Sequence, residues 1–168
     1  MNKFVRVVRH LCTTRWGVRR VFSQRVLDEI EAATREVEAQ HAGEIRFVVE
    51  AALDAEELLR DVSPRRRAID VFGRLGVWDT AENNGVLVYV LYADHDVEIL
   101  ADRGIAARVT QADWEAVCRE MEQHYKSGRF AEGSVAGVRA VGRMLAKHFP
   151  GSRRGDRGNE LPNQPILL

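Results

Sequence analysis

Residues 86–92, Val-Leu-Val-Tyr-Val-Leu-Tyr, run seven positions without polar alternation. The run is strand-length, and a strand apolar on both faces must be covered on both. It therefore predicts a central strand with helices above and below. Asn83-Asn84-Gly85 opens it, and Ala93-Asp94-His95 reads as a turn into Asp96–Ala101, a shorter strand alternating Val97, Ile99 and Ala101. No apolar stretch is longer, so none approaches the ~20 residues of a membrane span.

The flanking segments carry helical and strand periods. Ser23 reads as an N-cap before Leu27, Ile30, Ala33, Thr34 and Val37, a helix over residues 24–40. Glu44–Glu50 alternates Ile45, Phe47 and Val49 as a strand. Ser63-Pro64 starts a helix over 65–75, with three arginines in its first turn, where the helix dipole disfavours cations. A solvated face accounts for them. Thr110 and Asp113 form a capping box for a helix ending at Gly128, and a last helix covers 131–147. Strand, helix, strand implies a right-handed parallel crossover, followed by an antiparallel hairpin. The expected fold is an α/β three-layer sandwich, a small mixed sheet with helices on both faces. Residues 23–149 form this domain, 1–22 a basic N-terminal arm and 150–168 a flexible C-terminal tail. Ile166-Leu167-Leu168 is expected to be a disordered end rather than a docking tag.

The 168 residues hold 25 Lys plus Arg and 25 Asp plus Glu, a formal charge of zero that argues against a general nucleic-acid binder. The zero hides an uneven distribution. Lys3, Arg6, Arg9, Arg15, Arg19, Arg20 and Arg25 stand in the first 25 residues without an acid, while residues 28–61 are strongly acidic. The arm therefore suits an anionic membrane surface or an acidic protein partner, or is simply solvated. Cys12 and Cys118 have no metal or redox spacing, and residues 1–25 lack the apolar core of a secretory signal; a cytoplasmic protein is expected.

Pairing Tyr92 with Asp96 sets Val86 opposite Asp102 and Gly85 opposite Arg103. The parallel crossover brings His41, Gly43 and Glu44 to the same sheet end. Asp79, Asn83, Asn84, Asp102 and Arg103 converge there, with His41 and Glu44 as further candidates. Oxygen donors of this kind suit Ca²⁺ or Mg²⁺, with Asp79, Asn84 and Asp102 as ligands. The same residues also serve as turn formers and as an Asp102–Arg103 pair. Trp78 reads as a core plug. Asp94, His95 and Asp96 lie about 20 Å away, at the carboxyl ends of the parallel strands. They are also ordinary turn composition. Nucleotide-binding, nucleophile-elbow and zinc-protease motifs are absent.

Glu44–Val49, the string Asn83-Asn84-Gly85-Val86-Leu87-Val88, the later Asp102-Arg103-Gly104-Ile105 and Phe130-Ala131-Glu132-Gly133 together resemble the TPM domain, over about residues 24–149. The resemblance implies the sandwich fold. It also implies one of three roles, acid-phosphatase-like activity, Ca²⁺ binding or membrane-associated accessory work, here in a short soluble branch without signal peptide or transmembrane segment. Ala101-Asp102-Arg103-Gly104 stands where many members carry Gly-Tyr-Gly, adding a carboxylate and a guanidinium. The function expected is a binding or accessory module, divalent-cation-binding and peripheral to the membrane, with Arg103 positioning an anion. A metal-dependent phosphatase is the alternative.

Overall fold

The computed structural model describes residues 3–151 and 159–168. In chain order the elements are α1 (Lys3–Cys12), α2 (Arg15–Val21), α3 (Gln24–Glu38), β1 (Glu44–Glu50), α4 (Ala55–Leu59), α5 (Pro64–Arg74), β2 (Gly85–Leu91), β3 (Asp96–Ala101), α6 (Arg103–Ala106), α7 (Gln111–Lys126), α8 (Phe130–His148) and β4 (Ile166–Leu167). The strands form one open mixed sheet in the order β3-β2-β1-β4. β1 and β2 are parallel, and β2 and β3 antiparallel.

All seven residues of β2 are buried, as the unbroken apolar run requires. Val86, Val88 and Val90 join Ile45, Phe47 and Val49 in a core with residues of α3, α7 and α8. Leu87, Tyr89 and Leu91 join Val48 in a second core with Leu58 of α4 and Ala68 and Val71 of α5. The sheet is thus the middle of three layers, and the expected α/β architecture is borne out. Ser63 caps α5, and Thr110 with Asp113 forms the capping box of α7.

The hairpin register differs by one from the expected pairing. Val86 faces Ala101 and Leu91 faces Asp96. Tyr92–Asp94 makes a 3-10 turn and His95 takes a left-handed conformation with φ 53°, so the link spans four residues rather than three. Asp102 consequently lies beyond the ladder, where its N–H donates to the Gly85 carbonyl at 2.8 Å.

The expected flexible tail is ordered where it is described. β4 pairs parallel with the outer edge of β1, Leu168 N–H donates to Val49 O at 2.9 Å, and Leu161 is buried in the second core. The physical reason is that an open edge of β1 would leave backbone groups without partners. Arg46 adds to the closure by donating to the carbonyls of Pro162 and Gln164. Residues 152–158 of the expected tail lie outside the described residues.

The basic arm is also built into the body. It folds into α1 and α2, and Val18 and Phe22 enter the first core. Phe22 packs edge-on against Tyr92, Tyr125 and Phe130. No helix among the described residues is long and apolar enough to cross a membrane.

Candidate functional site

At the amino end of the parallel strands, two short segments interlock. Asn83 takes a left-handed φ of 52° and turns the chain into β2. Gly104 donates its N–H to Asn83 O at 2.9 Å. A Cβ on Gly104 would stand 2.6 Å from that oxygen and 2.7 Å from Glu82 O, so this approach requires glycine. Gly85 is equally confined, because a Cβ there would overlap the Val77 carbonyl. The sequence strings 83–85 and 102–104 are therefore two halves of one corner.

Asn84 is buried in it. Its N–H donates to Thr80 Oγ1 and its Nδ2 to Ala42 O, both at 3.0 Å. Asp102 is the N-cap of α6, and its Oδ1 accepts from Arg103 N at 2.7 Å. The remaining oxygens, Asn84 Oδ1 and Asp102 Oδ2, are buried and accept no hydrogen bond. Buried acceptors of this kind are costly unless something supplies positive charge or a proton.

The other expected residues scatter around this pair. Glu44 is buried beside it, opposite Gly85, and its Oε1 accepts from Glu160 N at 2.8 Å, tying the C-terminal segment to the corner. His41 is buried and bridges to Pro150. Asp79 is exposed in the turn closed by its N–H to Gly76 O. Arg103 does not hold Asp102 through its guanidinium; its Nε donates to Asn83 Oδ1 at 2.8 Å on the exposed rim. Trp78 is half-exposed rather than a core plug, with the chain turning at Gly76 (φ 64°) just before it. No group of three or more His, Cys, Asp or Glu gathers as a metal centre among the described residues.

The opposite sheet end is filled with its own ion pairs. Arg67 grips Glu50 through Nε at 2.8 Å and Nη2 at 2.7 Å, Tyr89 OH donates to Glu50 Oε2 at 2.6 Å, and Glu57 meets Arg67 at 2.9 Å. Burial and the Glu50 carboxylate raise the Tyr89 phenol well above its ordinary value, so it stays a donor. This network, and not solvent, is what Arg67 faces. Arg65 likewise crosses to β3, donating to Ile99 O at 2.8 Å and Glu98 at 3.1 Å.

Asp94 is a structural anchor. It accepts from Arg6 Nε at 2.9 Å and His10 Nε2 at 3.0 Å, while His10 Nδ1 accepts from Leu53 N at 3.0 Å. The backbone donor at Nδ1 places the neutral ring's proton on Nε2, facing Asp94. Sequence reasoning missed this clamp, because the basic residues of the first segment were read as facing an anionic membrane, an acidic partner or solvent rather than the body of the same domain.

Asp96 lines a groove of about 440 Å³ between β3 and α7, with Glu98, Glu115, Glu122, Arg65, Arg119 and Cys118. Burial first, then Glu98, Glu122 and Asp94, push Asp96 up to about 7, against a small opposing effect of Arg6. A carboxyl raised in the folded state binds more protons than in the unfolded chain. Its contribution to stability is therefore complete below about pH 4 and is lost as pH rises toward 7. Glu98 is raised in the same direction. Asp96→Asn is expected to raise the melting temperature at pH 8 and leave it unchanged near pH 4. Equal shifts at both pH values would refute this reading, and thermal melts by circular dichroism decide it.

The order of elements, the mixed sheet and the interlocked 83–85 and 102–104 corner now stand together, and residues 19–144 match the family model of the TPM domain. The chain belongs to the TPM domain family. Among solved structures, this TPM protein is similar to the BA42 protein of the psychrophilic bacterium Bizionia argentinensis, at 32% identity and a TM-score of 0.74, covering 87% of this chain and 94% of that one. It shares its fold with the N-terminal domain of a P. gingivalis protein, at 20% identity, a TM-score of 0.58 and coverage of 74% and 76%. The N-terminal domain of the cg2496 protein of Corynebacterium glutamicum is similar in fold, at 17% identity, a TM-score of 0.56 and coverage of 81% and 82%. No curated protein matches this TPM chain.

Proposed function

We propose that this TPM protein is an accessory binding module that takes up a hard divalent cation, Ca²⁺ or Mg²⁺, at the Asn84/Asp102 corner, and works in the cytoplasm, peripheral to a membrane. The observation that carries the cation reading is the pair of buried oxygens, Asn84 Oδ1 and Asp102 Oδ2, that accept no hydrogen bond. An all-oxygen donor set of one amide and one carboxylate fits hard cations, which complete their shells with carbonyls and water. Asp79, exposed in the nearby turn, is a further oxygen donor of that chemistry. A bound cation supplies positive charge that neutralises Asp102.

Calorimetric titration with CaCl₂ and MgCl₂, paired with thermal melts, tests the reading. At a cation concentration about a hundred times Kd, linkage gives roughly 2.7 kcal/mol, or about 5–10 °C in melting temperature. Asp102→Asn removes the charge while asparagine still caps α6. It should abolish both the heat and the shift without lowering the melting temperature of the metal-free protein much. No heat and no shift with either cation would end the cation reading. Metal-dependent turnover of p-nitrophenyl phosphate by the same sample, lost in Asp102→Asn, would replace the accessory module with a phosphatase in which the corner serves the phosphoryl group.

A further inference from the structure

We propose that the outer face of α1 and α2 docks onto an anionic lipid bilayer, with Phe4, Leu11 and Trp16 entering the interfacial layer and Arg15, Arg19 and Arg20 meeting phosphate headgroups. The inference rests on the peripheral-membrane part of the proposed function and names the surface it needs.

The exposed large apolar side chains of the molecule concentrate here. Phe4 is 74% exposed, Leu11 68% and Trp16 64%, with Val5 and Val8 also at the surface. Positions 4, 8 and 11 fall on one face of a helix, and 5 and 12 border it. Isolated apolar residues on a surface are ordinary, whereas a contiguous stripe marks a contact face. The opposite face of α1 is fixed to the body by Arg6 and His10 on Asp94 and by Arg9 on Ala93 O, with Val7 against the second core. The stripe is therefore held outward on a helix that is already formed, so docking costs little ordering entropy.

Charge selects the partner. Arg15, Arg19 and Arg20 are exposed on α2, and the first 25 residues contain no acid. The Arg20 guanidinium lies 3.6 Å over the Trp16 ring, which places an indole at the boundary between apolar and cationic surface. Basic residues beside an apolar helix face with a tryptophan at the border are the composition of an interfacial membrane helix. Lipid also needs no complementary shape, which suits a stripe raised on a helix surface.

The test uses the full chain in EDTA, so that the cation corner plays no part. Vesicles of phosphatidylcholine with one quarter phosphatidylglycerol are compared with pure phosphatidylcholine. Cys12, exposed and bordering the stripe, carries an environment-sensitive fluorophore; Cys118 is partly buried and its thiol pushed up to about 12, so labelling is selective. The wild type should sediment with the anionic vesicles alone, and its label should shift to the blue. Phe4→Ser with Leu11→Ser should weaken binding by at least about tenfold. Arg19→Gln and Arg20→Gln should each cost on the order of fivefold at low salt, and less as salt rises. All four positions are exposed, so circular dichroism should stay unchanged.

Binding that survives Phe4→Ser with Leu11→Ser, or that leaves the label in water, would overturn this face while keeping the protein at the membrane. No sedimentation at any salt would overturn both. Retention on immobilised polyglutamate without vesicle binding would assign the face to an acidic protein and overturn the proposal.

Discussion

Arg67→Ala is expected to cost about 3–5 kcal/mol of folding stability, because it strips a buried carboxylate of its counter-charge. The side chain of Glu50 is 8% exposed and that of Arg67 14%, and the pair is bidentate. Tyr89 can satisfy one oxygen of Glu50 but brings no charge. Surface pairs such as Arg60–Glu56, with both side chains mostly exposed, should be worth no more than about 1 kcal/mol. The companion experiment is Glu50→Gln with Arg67→Met. It removes both charges and keeps the volume, so it should be less destabilising than Arg67→Ala alone. Urea unfolding measures all three, and a loss below about 1 kcal/mol for Arg67→Ala would show that the network is relaxed or hydrated.

Phe22→Ala is expected to be comparably severe, at about 3–5 kcal/mol. The ring is 1% exposed and sits in an aromatic group with Tyr92, Tyr125 and Phe130. Removing it leaves a cavity bordered by rigid rings that close poorly over the space. The measurement also tests whether the first segment is part of the cooperative fold. A separable arm would leave the unfolding midpoint of the body untouched, whereas an integral one lowers it in a single transition.

How far these features could be read from the residues depended on the range of the interaction. The β2 run needed no tertiary knowledge, because seven apolar positions without alternation can only be satisfied between two layers. That Glu44 enters at the sheet end where β2 begins followed from the parallel crossover alone, while its register opposite Gly85 did not. The hairpin register failed by one residue because His95 adopts a left-handed conformation, a local choice that His tolerates but does not announce. Arg66 is exposed, as a solvated face requires, but Arg65 and Arg67 only looked solvated because their partners, Glu98 and Glu50, lie on strands. The first segment was legible as charge but not as an amphipathic helix, since its apolar residues alternate with arginines when read in line and separate only when wound at 3.6 residues per turn. In the corner, the residue types were legible and their satisfaction was not. Spacing cannot say that Asn84 Nδ2 is occupied by Ala42 while Oδ1 is left over.

The last strand has a consequence for how the molecule comes together. Val48 finds Ile166 across 118 positions of chain. Helical turns and the β2–β3 hairpin, which join near neighbours, should form early, and this pairing late. For that interval the outer margin of β1 is an open template whose one charge not buried in the fold is Arg46. The other margin of the sheet is closed differently, by side chains: Glu122 accepts from Val97 N–H and Arg65 donates to Ile99 O. One margin is thus sealed by residues already in place, while the other waits for a distant piece of the same polypeptide. Strand exchange between molecules at high concentration should therefore begin at β1, with the 159–168 segment of one copy completing the sheet of another.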